Sequence, residues 1–125
     1  MKEIKFSDLK KANVVLASCP HCLDWHFLSW EEDTLIMKCD MPIKPQVLFN
    51  FSKQSDLVNE LCITMKSPVN WLGRWCLYSR EFVIPISEFE ITIHSDKILL
   101  ETLIPNIIRP IPMKLAFLKE RRMYD

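Results

Sequence analysis

The residues best placed to do chemistry are Cys19 and Cys22, which flank Pro20 and His21 in the stretch VVLASCPHCLDWHF, residues 14–27. A C-x-x-C spacing brings two thiols to one side of a tight turn. There they can cycle between dithiol and disulfide, hold one metal ion, or fill space as small apolar side chains. Each role needs different company. Redox chemistry needs a helix N-terminus or a cation to stabilise a thiolate. A structural zinc ion needs two further ligands. Packing needs only apolar neighbours.

Part of the metal requirement is visible. The motif runs into a hairpin pattern, DWHFLSWEEDTLIMKCD, and Cys39 returns at the end of its second strand as a third thiol. The fourth ligand would have to be His26, His21, Cys62 or Cys76, because no second C-x-x-C follows. In an extended chain His26 shares a face with Leu28 and Trp30, and Cys39 shares one with Leu35 and Met37. Four of the five cysteines have an apolar residue beside them or lie within an apolar run. That favours the packing role, with Pro20 and His21 turning the chain between two strands. On this weighting no metal ligand, cofactor or catalytic residue is assigned.

The tetrapeptide Cys19-Pro20-His21-Cys22 also resembles the active site of periplasmic thiol oxidases of the thioredoxin fold. The resemblance implies Cys19 as nucleophile, Cys22 as resolving thiol and Pro85 as that fold's cis-proline. It covers only the motif and its surroundings, and LDWHFLSW alternates like a strand where that fold has a helix.

Other catalytic groupings are weak. His94, Ser95 and Asp96 are contiguous, which suits a turn rather than a triad, and Glu88 and Glu90 share one face of a strand with no companion base. Binding is better served. WEED sets Glu31, Glu32 and Asp33 beside Trp30 at a hairpin tip, and NWLGRW groups Trp71, Arg74 and Trp75, residue types enriched among interface anchors. These seven residues are the expected partner-binding set. In size and style the chain looks like the small immunity proteins that neutralise bacterial toxins. That likeness implies a non-catalytic inhibitor whose acidic tip meets the basic cleft of a toxin or enzyme.

The whole chain sets the frame. Its 125 residues are 49% hydrophobic, enough to bury the core of one domain spanning residues 1–125. Sixteen basic and sixteen acidic residues cancel, so no field gathers nucleic acid or anionic lipid. A single glycine, Gly73, excludes the glycine-rich phosphate loops. An odd number of cysteines without a signal-peptide pattern suggests free thiols and a cytosolic setting.

Local patterns predict strands over NVVLAS, both arms of the hairpin, QVLFNF, WLGRWCLYS, EFEITIH and ILLETLI. Helices are expected at FSDLKKA, capped by Ser7, and over SKQSDLVNELCITM, where Leu57, Leu61 and Met65 recur at helical spacing behind a Ser52 or Ser55 cap. MKLAFLKERRM suits a last helix or strand. The expected class is α+β, a mostly antiparallel sheet with two or three helices.

Overall fold

A computed structural model describes residues 3–19, 22, 24–39, 45–105 and 109–119. One short helix, α1 (Phe6–Lys10), precedes β1 (Val14–Ser18), β2 (Trp25–Glu31), β3 (Thr34–Lys38), β4 (Gln46–Gln54), β5 (Leu57–Trp71) and β6 (Arg74–Pro85). A single 3-10 turn (Ile86–Glu88) leads to β7 (Glu90–His94), β8 (Lys97–Ile104) and β9 (Ile111–Leu118). All nine strands form one antiparallel sheet in the order β6-β5-β4-β3-β2-β1-β9-β8-β7. The chain is therefore nearly all β, and the α+β expectation with two or three helices is corrected.

The main error has a physical cause. Leu57, Leu61 and Met65 recur every four residues, a spacing that a regular strand face shares with a helix face, although in β5 only Leu61 and Met65 keep one face. Ile63 decides the matter: it is buried with Leu61 on the inward face of β5, a position a 3.6-residue period would not give it. Ser55 and Asp56 have φ of 51° and 67°, making the two-residue turn of a β4–β5 hairpin instead of a helix cap. A register shift at Ser52/Lys53 leaves Asn59 as the extra residue of a bulge, so the buried set passes from Val58 to Leu61 and Ile63.

Smaller differences follow. Helix α1 starts from Lys5 with no side-chain cap; Ser7 hydrogen-bonds Asp56 instead, its Oγ 2.6 Å from Oδ2. MKLAFL belongs to β9, with Pro112 inside the strand, while residues 120–123 lie outside the described set.

Inward positions are almost wholly apolar: Val15 and Ala17, Leu35 and Met37, Val47 and Phe49, Leu61 and Ile63, Leu100, Met113, Leu115 and Phe117 are buried. The sheet rolls around them. Strands β4 and β9 are four places apart in the sheet, about 19 Å if it were flat. Yet the rings of Phe51 and Phe117 sit 6.1 Å apart. Helix α1 closes the cup by burying Phe6 and Leu9, held there by amide-to-carbonyl bonds from Phe6 to Asp56 and from Val58 to Ile4.

Candidate metal centre

Parity and register together bring Cys19, Cys22, His26 and Cys39 to one place. Cys19 continues the inward series Val15, Ala17; His26 heads the series Leu28, Trp30; Cys39 ends the series Leu35, Met37. The β1–β2 ladder pairs Ala17 with His26, and the β2–β3 ladder pairs Leu28 with Met37, which sets His26 opposite Cys39 one repeat further on. Three ligands thus come from three neighbouring strands at one end and on one face. Cys22 comes from the connection between β1 and β2, which closes through a 2.8 Å hydrogen bond from the Cys19 amide to the Asp24 carbonyl. The Cys39 amide donates likewise to the Pro45 carbonyl at 3.0 Å.

The four ligand atoms lie within 4.8 Å of one another. Cys22 Sγ is 3.7 Å from Cys39 Sγ and 3.0 Å from His26 Nε2. Zinc–sulfur bonds of about 2.3 Å at tetrahedral angles put two sulfurs about 3.8 Å apart, so the Cys22–Cys39 separation already suits one ion. A tetrahedral sulfur–nitrogen edge is about 3.6 Å, so the imidazole would withdraw by about half an ångström. Cys19 and Cys39 are buried, and Cys22 and His26 half-buried. The Cys22 thiol is lowered from 9.0 to about 7: the Asp24 amide and then His26 stabilise the thiolate, and partial burial opposes them. The donor set is soft, which suits zinc and disfavours magnesium or calcium.

The other thiols stand apart: Cys62 lies in β5 opposite Asn50 and Val83, and Cys76 is exposed on β6. His21, the remaining candidate ligand, and Pro20 lie outside the described residues. The arrangement of the thiol oxidases does not form, because Cys22 leads into β2 where that fold needs a helix.

The expected partner-binding residues divide into two groups. Trp30 is half-buried among aromatics, its ring centroid 5.7 Å from Phe6 and 6.4 Å from Phe51, with Lys10 Nζ 4.5 Å from the ring. Glu31 is exposed, and Glu32 (φ 54°) shapes the β2–β3 turn, its carbonyl accepting from Lys10. Asp33 pairs with Lys10 at 3.7 Å and Lys53 at 3.4 Å. The acidic tip is thus partly neutralised from within, by lysines the sequence did not connect to it.

Trp71, Arg74 and Trp75 lie at the far end of the β5–β6 hairpin. The ladder to β4 ends at Gln46–Lys66, whereas the β5–β6 ladder continues to Trp71–Arg74, so the last five pairs form a two-stranded ribbon. Its turn is Leu72-Gly73, both at positive φ. Trp71 is 70% exposed and Trp75 68%. Pairing places them on opposite faces: Trp71 and Arg74 share one with Val69 and Tyr78, and Trp75 shares the other with Pro68 and Leu77.

Of the remaining groups, Glu90, Glu101 and Lys114 are cross-strand neighbours along an open groove of about 480 Å³ that Glu88 also lines. Ser95-Asp96 is the β7–β8 turn. Comparisons with protein families, with curated proteins and with solved structures give no match to this chain. No helix among the described residues is long and apolar enough to cross a membrane.

Proposed function

We propose that the protein binds one zinc ion through Cys19, Cys22, His26 and Cys39, as a structural centre that ties together β1, β2 and β3. The observation that carries this reading is the convergence of four soft ligand atoms within 4.8 Å. Five cysteines scattered as packing residues have no reason to place three thiols and an imidazole together at one end of a sheet. Four protein ligands would leave no open position for a substrate or water, so the ion would supply stability and no Lewis-acid chemistry. Protein purified under reducing conditions should carry one equivalent of zinc by elemental analysis. Cobalt substitution should give the visible bands of a tetrahedral thiolate site. Cys39→Ser should weaken the binding of both ions about 70- to 900-fold, and Cys76→Ser should leave it unchanged. Wild-type protein that takes up neither ion refutes the proposal.

A second reading is favoured by the exposed tryptophans: a non-catalytic protein that binds another protein through the β5–β6 ribbon. The weight of that reading moves from the acidic tip, where Asp33 is already paired, to Trp71, Arg74 and Trp75. An inhibitor that occludes a toxin or enzyme remains one form of it. If Trp71→Ala and Trp75→Ala leave binding to a purified partner unchanged, the ribbon is not the contact.

A further inference from the structure

We infer that β6 pairs with β6 of a second copy of this chain, forming a twofold dimer centred on Ser79. The inference rests on the reading of the β5–β6 ribbon as a protein-binding surface and names its partner. The two edges of the sheet are unlike. One, β7, is five residues long; the other, β6, is twelve. Folded proteins blunt exposed edges with short strands, charges, prolines or bulges, since a free row of amides and carbonyls templates further pairing. Between Arg74 and Ile84 there is no proline, and no register shift interrupts the ladder to β5.

Much of the exposed apolar surface among the described residues also lies on this hairpin. Trp71, Leu72, Trp75, Leu77, Tyr78 and Val83 are all exposed. Of these, Trp75, Leu77, Tyr78 and Val83 lie within β6, divided between its two faces, and leave on the order of 500 Å² uncovered along the edge. A standard interface takes about 800 Å² from each partner, so these side chains supply part of it and the paired backbones the rest.

Charge selects the register. A twofold axis perpendicular to the sheet pairs residues of like parity. Centring on Arg80 or Glu81 opposes like charges, as does centring on Leu77, which sets Arg74 against Arg80. Centring on Ser79 does not. It pairs strands from Arg74 to Ile84, setting Trp75 against Val83 of the other copy, Tyr78 against Arg80 and Cys76 against Phe82. The Tyr78–Arg80 pairs gain a cation–π contact, and the two serine hydroxyls meet at the axis. Centring on Tyr78 also avoids like charges but shortens the overlap to Arg74–Phe82.

Sedimentation equilibrium of the full chain, with zinc and reductant, should give twice the monomer mass at roughly micromolar concentration. Leu77→Lys with Val83→Lys, both on exposed positions, should return it to monomer with an unchanged circular dichroism spectrum. Register is read by cross-linking. Ser79→Cys should form a disulfide-linked dimer under mild oxidation, because directly opposed residues lie about 5 Å apart. Glu81→Cys should not, because its twin would be four residues along the strand, about 13 Å away. A monomeric wild type overturns the second copy as occupant and leaves the ribbon to its own test. A dimer that survives the double lysine variant overturns β6 as the contact. Cross-linking through Glu81→Cys in preference to Ser79→Cys overturns the register.

Discussion

Replacing Cys39 by serine separates a metal ligand from a buried thiol, because the two roles predict different dependence on zinc. The side chain is 3% exposed, so serine places a hydroxyl in an apolar site at a cost of about 1–2 kcal/mol, whatever else the thiol does. If Cys39 is also a ligand, the variant loses its share of the binding energy. Structural zinc contributes about 10–16 kcal/mol in small zinc-dependent folds, or about 2.5–4 kcal/mol for each of four ligands. One ligand then corresponds to a loss of about 70- to 900-fold in affinity. In excess zinc that difference appears as folding stability. For a chain of this length about 1 kcal/mol moves Tm by about 4 °C. Calorimetry in chelator should therefore show Cys39→Ser melting about 4–8 °C below wild type. In excess zinc the gap should widen by a further 10–16 °C or so, about 4 °C for each kcal/mol as before. Equal gaps in the two buffers would refute the metal role of Cys39 and return it to ordinary packing.

In metal-free protein, Cys22 should be the thiol that iodoacetamide modifies first. Its pKa of about 7 makes it mostly thiolate at pH 8 and mostly thiol at pH 6, so the rate should rise through neutrality and collapse when zinc is added. Peptide mapping that finds another cysteine reacting first would contradict the geometry. Leu72→Asn should stabilise the ribbon turn by about 0.5–1 kcal/mol, because Leu72 holds φ at 51° and Asn-Gly is the preferred pair there; a lower Tm would refute this. Phe49→Ala in β4, a fully buried position, should cost about 3–5 kcal/mol in urea unfolding. A loss below about 1 kcal/mol would show that the core does not close on β4.

Much of this architecture is written in local pattern. The β-branched run in NVVLAS, the paired runs around EED, and the alternating EFEITIH with its SDK turn led to strands and hairpins largely where the pattern put them. The parity that groups His26 with Leu28, and Cys39 with Met37, also holds in the folded sheet. Two things escaped. A spacing of four cannot tell helix from strand, and a bulge at Asn59 further blurs the alternation around Leu57, Leu61 and Met65. Nor can pattern show what shields a charge. Lys10 and Lys53 reach Asp33 from α1 and β4, elements distant in sequence from the β2–β3 turn.

The metal centre shows where the division falls. The ligand types, the tight C-x-x-C turn and the face each side chain takes are already set by the order of residues, because these depend on covalent spacing and the two-residue period of a strand. Folding alone makes those faces belong to neighbouring strands, in a register that sets His26 between Ala17 and Cys39. A shift of one residue in either ladder would turn a ligand to the opposite face. Register is fixed by the packing of the whole inward surface, from Val15 to Phe117, and no short stretch of the chain contains that information.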